Sequence, residues 1–82
     1  MNNEELKDII VEEILNIAPD VDADDITMDA NIQTSLEIDS FDFLNILVAL
    51  NKRIGVEVPE SDYPKVNTLA KMIDYFAHNQ KN

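Results

Sequence analysis

The most chemically informative residues form a short run in which Ser40 stands between Asp39 and Asp42. A serine hydroxyl alone is a weak nucleophile, and no base lies within local reach in the sequence to activate it. This run opens a predicted helix, and the free N–H groups at a helix N-terminus favour an attached phosphate. Ser40 is therefore predicted to be modified by another enzyme. Asp39 is predicted to help hold the metal ion that such an enzyme brings.

A simpler interpretation of the same residues stays open at this point. Asp39 is a favourable helix N-cap, and a carboxylate at Asp42 meets the free backbone N–H groups of the first helical turn. These residues are therefore compatible with an ordinary Ser/Asp helix cap as well as with a modification site.

Composition removes most catalytic alternatives. The chain has no cysteine, which excludes disulfides, thiolate metal sites and cysteine catalysis. Its single glycine, Gly55, cannot build a nucleophile elbow or a phosphate-binding loop. Its single histidine, His78, has no serine nearby and is predicted to be a surface residue. Cysteine chemistry, a nucleophile elbow and a phosphate-binding loop are therefore excluded, and we expect no dedicated metal site.

An acidic run before Ser40 suggests calcium binding as an alternative. Asp20, Asp22 and Asp24 alternate as in a calcium-binding loop, which also needs glycine at its sixth position and glutamate at its twelfth. The chain has Asp25 and Asn31 at these positions. Solvated acids that bind divalent cations weakly are the preferred interpretation, and a weak calcium buffer is the alternative.

Length and charge narrow the class of protein further. Eighty-two residues form one small domain, residues 1–82. Seventeen acidic residues against six basic ones give a net charge of −11, which disfavours nucleic acid binding because phosphate binders carry basic faces. No apolar run reaches the ~20 residues of a membrane helix, and no signal-peptide pattern opens the chain. We expect a soluble, cytoplasmic, monomeric domain.

Hydrophobic periodicity predicts the elements that position Ser40. Apolar residues at spacings of three and four predict main helices at Glu4–Ile17, Ser40–Arg53 and Thr68–Asn79, with one short helical turn at Ser61–Lys65. No strand pattern of useful length is present. The predicted fold is therefore an all-α, small four-helix bundle of three main helices plus one short helix. The residues predicted to cap the helices are Asn2 with Glu5, Asp39, Asn67 or Thr68, and Gly55.

The apolar faces of these helices form the predicted core, with the second helix facing the last one. A long acidic loop, residues 18–39, separates the first two helices, and a loop of this length is often functional. Its predicted anchors to the core are Ile26, Met28, Ile32 and Leu36. The predicted helix faces are Leu6, Ile9, Ile10, Ile14 and Ile17; Phe43, Leu44, Leu47, Val48, Leu50 and Ile54; and Leu69, Met72, Ile73, Phe76 and Ala77.

The order of these features along the chain resembles the acyl carrier protein family. An acidic loop leads into the Asp39–Ser40 pair, which opens the second helix. A Val-Pro-Glu connection ending at Glu60, a short turn and a last helix that includes Tyr75 follow. The resemblance covers roughly residues 4–78.

The resemblance implies a carrier rather than an enzyme. In the family, the serine of the Asp-Ser motif carries 4′-phosphopantetheine, and Ser40 is the matching residue, with Asp39, Phe41 and Asp42 beside it. A phosphopantetheinyl transferase would attach this group, whose terminal thiol would hold acyl groups as thioesters. The domain would present them to acyl-loading and acyl-transferring enzymes of fatty acid, polyketide or related lipid biosynthesis.

The resemblance also implies a docking surface and an acyl pocket. Partner enzymes in the family carry basic patches that recognise acidic residues on and after the second helix. A similar core can open in the family to shelter an acyl chain. The docking candidates are Asp42, Asn45, Glu57, Glu60 and Asp62. The acyl-pocket candidates are Phe43, Leu47, Ile54, Leu69, Met72 and Ile73.

Several residues depart from the family pattern. Glu37 stands at or near a position that is usually glycine in the family, which predicts that the loop approaches the second helix differently. Phe41 stands where leucine is commoner in the family. The second helix has amides and then bases in a region that is often rich in glutamate. These residues are Asn45, Asn51, Lys52 and Arg53. We therefore expect a specialised carrier with dedicated partners.

Two further alternatives stay open from the residues. A carrier of amino acids would use the same arm, and its distinguishing features would lie in the loading enzyme. An acidic helical interaction module without a prosthetic group would share the composition but would not depend on Ser40.

Overall fold

Three α helices and two short 3₁₀ helices follow one another in the computed structural model, which describes residues 1–80. The predicted all-α fold, with three main helices and a short one, is confirmed; the 3₁₀ helix in the acidic loop was not predicted. The described residues contain an isolated bridge between Asn31 and Thr68 but no extended strand. The elements are α1 (Asn3–Ile17), η1 (Ala23–Asp25), α2 (Ser40–Ile54), η2 (Glu60–Val66) and α3 (Leu69–Asn79).

Polar caps set the starts of α1 and α3. The Asn2 side chain accepts a hydrogen bond from the Glu5 N–H at 2.8 Å, and the Glu5 carboxylate accepts one from the Asn2 N–H at 3.5 Å. This reciprocal capping box is the predicted one. Thr68 rather than Asn67 caps α3, because the Thr68 hydroxyl accepts a hydrogen bond from the Lys71 N–H at 3.1 Å.

Helix α1 is the element against which the other two α helices pack. It lies close to both α2 and α3, whereas η2 packs on α3. The buried apolar side chains of α2 and α3 belong to one hydrophobic core, as predicted, although the backbones of these two helices lie less close to each other than to α1. Helix α1 is therefore the element on which both helices pack most closely.

The buried residues correct several predicted positions. Leu44 and Val48 of α2 are exposed, whereas Ile46 is fully buried, because the apolar stripe of α2 is wider than the sector that its neighbours cover. Ala77 of α3 is also exposed. On α1, the charged residue Glu13 is buried, and its carboxylate accepts a hydrogen bond from the Asn16 amide at 3.3 Å.

The long loop is anchored to the core by both side chains and backbone. Ile26, Ile32 and Leu36 are buried as predicted. The predicted anchor Met28 has an exposed side chain; its carbonyl instead accepts a hydrogen bond from the Ala70 N–H at 3.0 Å. The Ile32 N–H donates to the Asn67 carbonyl at 2.9 Å. These bonds hold the loop against the start of α3, and so fix the direction from which the chain reaches Ser40.

Within residues 1–80, no helix is long and apolar enough to cross a membrane.

Candidate functional site

Ser40 is the first residue of α2, directly after the N-cap. The Asp39 side chain accepts a hydrogen bond from the Asp42 N–H at 2.8 Å, and the Asp39 carbonyl accepts one from the Phe43 N–H at 2.9 Å. Asp39 therefore performs the capping predicted for it and holds the first turn of α2 in place. Ser40 is exposed and takes no part in this cap.

The hydroxyl of Ser40 has one side-chain neighbour that sequence reasoning missed. The Gln33 amide donates a hydrogen bond to Ser40 Oγ at 3.4 Å. Gln33 lies in the loop, seven residues earlier, and nothing in the sequence marks it. Among residues 1–80, no histidine or carboxylate is hydrogen-bonded to this hydroxyl, so the chain offers no base to activate it. An external group can reach Ser40, but the protein does not activate it.

Glu37 has an unusual backbone conformation three residues before Ser40. Its φ is 54°, in the left-handed region that favours glycine, and Glu37 is the one non-glycine residue of the described chain with positive φ. The following Ile38 is buried, and its N–H donates to the Gln33 carbonyl at 2.9 Å. The position thus has a glycine-like conformation without a glycine.

Phe41 begins an exposed apolar strip on α2. Its ring is 70% exposed, and Leu44 and Val48 continue the strip at helical spacing. Leu44 and Val48 also line a surface groove of about 260 Å³ with Val58 and Tyr63. Apolar side chains next to Ser40 therefore face outward.

The predicted docking residues differ in how accessible they are. Asn45, Glu57 and Glu60 are exposed and Asp42 is half-buried. Asp62 is engaged within the protein, because its Oδ2 accepts a hydrogen bond from the Tyr75 hydroxyl at 2.8 Å and its Oδ1 lies 3.4 Å from Lys65 Nζ.

The Asp62–Tyr75 contact shifts the pKa of both groups. The hydrogen bond from Tyr75 holds the pKa of Asp62 below its usual value, and Lys65 acts in the same direction. Burial raises the pKa of the Tyr75 hydroxyl, and its hydrogen bond to Asp62 adds to this increase. Asp62 is thus better described as a clamp between η2 and α3 than as a free docking charge.

All the predicted acyl-pocket residues belong to the core. They are Phe43, Leu47, Ile54, Leu69, Met72 and Ile73, and none is more than 9% exposed. Phe43 packs edge-to-face on Tyr63 of η2, with ring centroids 5.9 Å apart.

One acidic residue of the loop has a local structural role. Asp22 caps η1, since its side chain accepts a hydrogen bond from the Asp24 N–H at 2.9 Å. The part of the chain that the structure describes has no group of three or more histidines or carboxylates able to hold a metal ion. His78 is exposed, as predicted, with Nδ1 2.8 Å from the Asp74 carbonyl oxygen.

Comparisons with known proteins agree with this geometry. Residues 4–76 match the family described as a phosphopantetheine attachment site. The chain is 32% identical to the acyl carrier protein of Campylobacter hominis, over 96% of this chain and 94% of that protein. It is 35% identical to the acyl carrier protein of Lactobacillus johnsonii, over 73% of this chain and 75% of that protein. A solved acyl carrier protein from Enterococcus faecalis superposes with a TM-score of 0.74, at 27% identity, covering 98% of this chain and all of that one.

Fold, site and comparisons together define a small helical carrier domain of the phosphopantetheine-binding type. The chain belongs to the acyl carrier protein family. A member of this family is a carrier and not an enzyme, and its role implies contact with biosynthetic enzymes.

Proposed function

We propose that Ser40 carries 4′-phosphopantetheine and that this protein presents acyl groups to enzymes of fatty acid, polyketide or related lipid biosynthesis. The observation that carries the proposal is the exposed Ser40 hydroxyl at the N-terminus of α2, directly after an N-cap aspartate. It lies within the matched residues 4–76.

The residues around Ser40 fit such a group. The hydroxyl is exposed, its one side-chain contact is long at 3.4 Å, and Phe41 points into solvent, so a substituent on Oγ meets no packed neighbour. A phosphate on Oγ is favoured by the positive end of α2. When bound, the group supplies the thiol that the chain lacks and on which acyl groups are held as thioesters.

Attachment requires a separate phosphopantetheinyl transferase. Ser40 Oγ forms the new bond to phosphorus and loses its proton, while the pyrophosphate bond of coenzyme A breaks and adenosine 3′,5′-bisphosphate leaves. The base that accepts this proton comes from the transferase, since residues 1–80 place none at the hydroxyl. We assign Asp39 and Asp42 to recognition by that enzyme, with Asp39 helping to hold its metal ion.

Acyl-loading and acyl-transferring enzymes with basic patches are the remaining proposed partners. Asp42, Glu57 and Glu60 supply negative charge for docking, with Asn45 beside them. The C-terminal end of α2 is basic instead, and Arg53 is paired with Glu12 of α1 at 3.1 Å. This mixed charge supports a specialised carrier with dedicated partners. We further propose one monomeric domain over residues 1–82, in the cytoplasm, without affinity for nucleic acid; residues 81–82 lie outside the described part.

Intact-mass analysis tests the attachment. Incubation with coenzyme A and a broad-specificity transferase should add one phosphopantetheine to the wild-type protein and none to Ser40→Ala. Ser61→Ala is a matched control, because it removes another exposed serine and should leave the modification unchanged. An unchanged mass of the wild type, or full modification of Ser40→Ala, would contradict the proposal.

A further inference from the structure

Two side-chain contacts join α2 to α3 through η2. Phe43 of α2 meets Tyr63 of η2 edge-to-face, with ring centroids 5.9 Å apart and planes at 84°. The Tyr75 hydroxyl of α3 donates a hydrogen bond to Asp62 of η2 at 2.8 Å. A path of contacts therefore runs from α2 through η2 to α3.

Phe43 is placed beside the attachment residue. It follows Ser40 by three positions, so the two share one face of α2, yet Ser40 is exposed and Phe43 is only 3% exposed. A chain attached at Ser40 that turned toward the core would meet the Phe43 ring first.

The same three elements contribute buried side chains to the core that contains this ring. Leu47 of α2, Val66 of η2 and Met72 of α3 are among them. Because protein interiors pack as densely as organic crystals, an acyl chain would enter only by displacing these side chains.

We propose that the Phe43–Tyr63 pair closes the core to the cargo, so that the group carried on Ser40 stays outside the helices. This inference rests on the proposed function and names its substrate class, which is short acyl groups. A long apolar chain left in water is unfavourable in proportion to its area, whereas a short acyl group loses little by staying exposed.

The test compares acetyl and octanoyl forms, made by transferring acyl-phosphopantetheine from acetyl- or octanoyl-coenzyme A. In the wild type, both forms should melt at the same temperature and lose their acyl groups to neutral hydroxylamine at the same rate. Phe43→Ala leaves a cavity that accepts the longer chain. Its octanoyl form should melt roughly 4 °C or more above its acetyl form and release the acyl group more slowly.

Leu44→Ala is the matched control, since it shortens an exposed apolar side chain next to Phe43 on α2 without opening the core. It should behave as the wild type does. If Phe43→Ala does not fold, Phe43→Leu and Tyr63→Ala take its place with the same expectation. The proposal is overturned if the wild-type octanoyl form is more stable or better protected than its acetyl form. It is also overturned if, in the folded Phe43 and Tyr63 variants, the octanoyl and acetyl forms have the same melting temperature and the same rate of acyl release.

A failure of the proposed function would be seen separately, as absence of any mass change at Ser40. Core closure can then be measured on Ser40→Cys, whose thiol is unique because the chain has no cysteine. The N-ethylmaleimide and N-octylmaleimide conjugates of Ser40→Cys should have the same melting temperature. When Phe43→Ala is added, the octyl conjugate should melt at a higher temperature than the ethyl conjugate. A difference between the two conjugates of Ser40→Cys alone would contradict closure.

Discussion

Ser40 differs from a catalytic serine in what surrounds its hydroxyl. A nucleophilic serine needs a base within hydrogen-bonding distance, and among residues 1–80 the side chain hydrogen-bonded to Ser40 Oγ is the Gln33 amide, which donates. Asp39, the nearest acid in the sequence, uses its side chain to cap α2. The capping and modification interpretations of this motif are therefore compatible, because Asp39 provides the cap and Ser40 stays exposed.

Glu37 offers a direct test of backbone strain near the site. Glu37→Gly should stabilise the protein by about 0.5–1 kcal/mol, because relief of the left-handed conformation outweighs the added freedom of glycine in the unfolded chain. Urea denaturation measures the change in the free energy of unfolding.

Glu37→Ala is the control for charge, since it removes the carboxylate but keeps a side chain in the left-handed region. It should give no comparable gain. An equal gain from both variants would attribute the effect to charge rather than to backbone conformation.

Helix η2 joins α2 to α3 through two side-chain contacts. It contacts α2 through Tyr63 and α3 through Asp62. Its sequence, with Pro64 in the middle, predicted only one helical turn, and its role depends on partners in two distant elements. This short helix thus supplies Tyr63, one of the two rings that we propose close the core.

Tyr75→Phe should reveal this clamp through its pH dependence. The lowered pKa of Asp62 gives stability that is present above about pH 4 and is lost as the pH falls through the folded-state value. The raised pKa of Tyr75 gives stability that is present below about pH 10 and is lost as the pH rises through its folded-state value. The melting temperature of the wild type should therefore exceed that of Tyr75→Phe most at intermediate pH, with the difference shrinking at both extremes.

Tyr63→Phe is the control for this series, because it removes a hydroxyl from η2 while keeping the ring that packs on Phe43. Its melting temperature should differ from that of the wild type by an amount that does not vary with pH between these limits. A pH-independent effect of Tyr75→Phe would show that the Asp62 contact does not form in solution.

The whole molecule carries its charge unevenly. Thirteen of its seventeen acidic residues lie in residues 1–51, where Lys7 is the one base. Self-repulsion of this kind destabilises the folded state and is screened by salt. The melting temperature should therefore rise between about 20 mM and about 500 mM NaCl, where the Debye length falls from roughly 20 Å to roughly 4 Å.

Lys7→Gln removes the single base of that region and should lower the melting temperature at low salt but not at high salt. Differential scanning calorimetry measures both effects. A melting temperature independent of salt would mean that local hydrogen bonds already offset the repulsion.

Local patterns were sufficient to predict the helices, the caps at Asn2, Asp39 and Gly55, and the placement of Ser40 at the start of α2. These features depend on spacing and capping within a few residues, so they can be predicted from the amino-acid sequence alone. The order of the same features also pointed to the family that the comparisons establish.

Tertiary structure decided which side chains of α2 face outward and which close the core. Leu44 and Val48 are exposed while Ile46 is buried, a difference that the apolar pattern alone did not predict. The contacts of Gln33 with Ser40 and of Phe43 with Tyr63 join elements that are separate in the sequence. Such pairs depend on how the helices and the loop pack on α1, and no local periodicity encodes that arrangement.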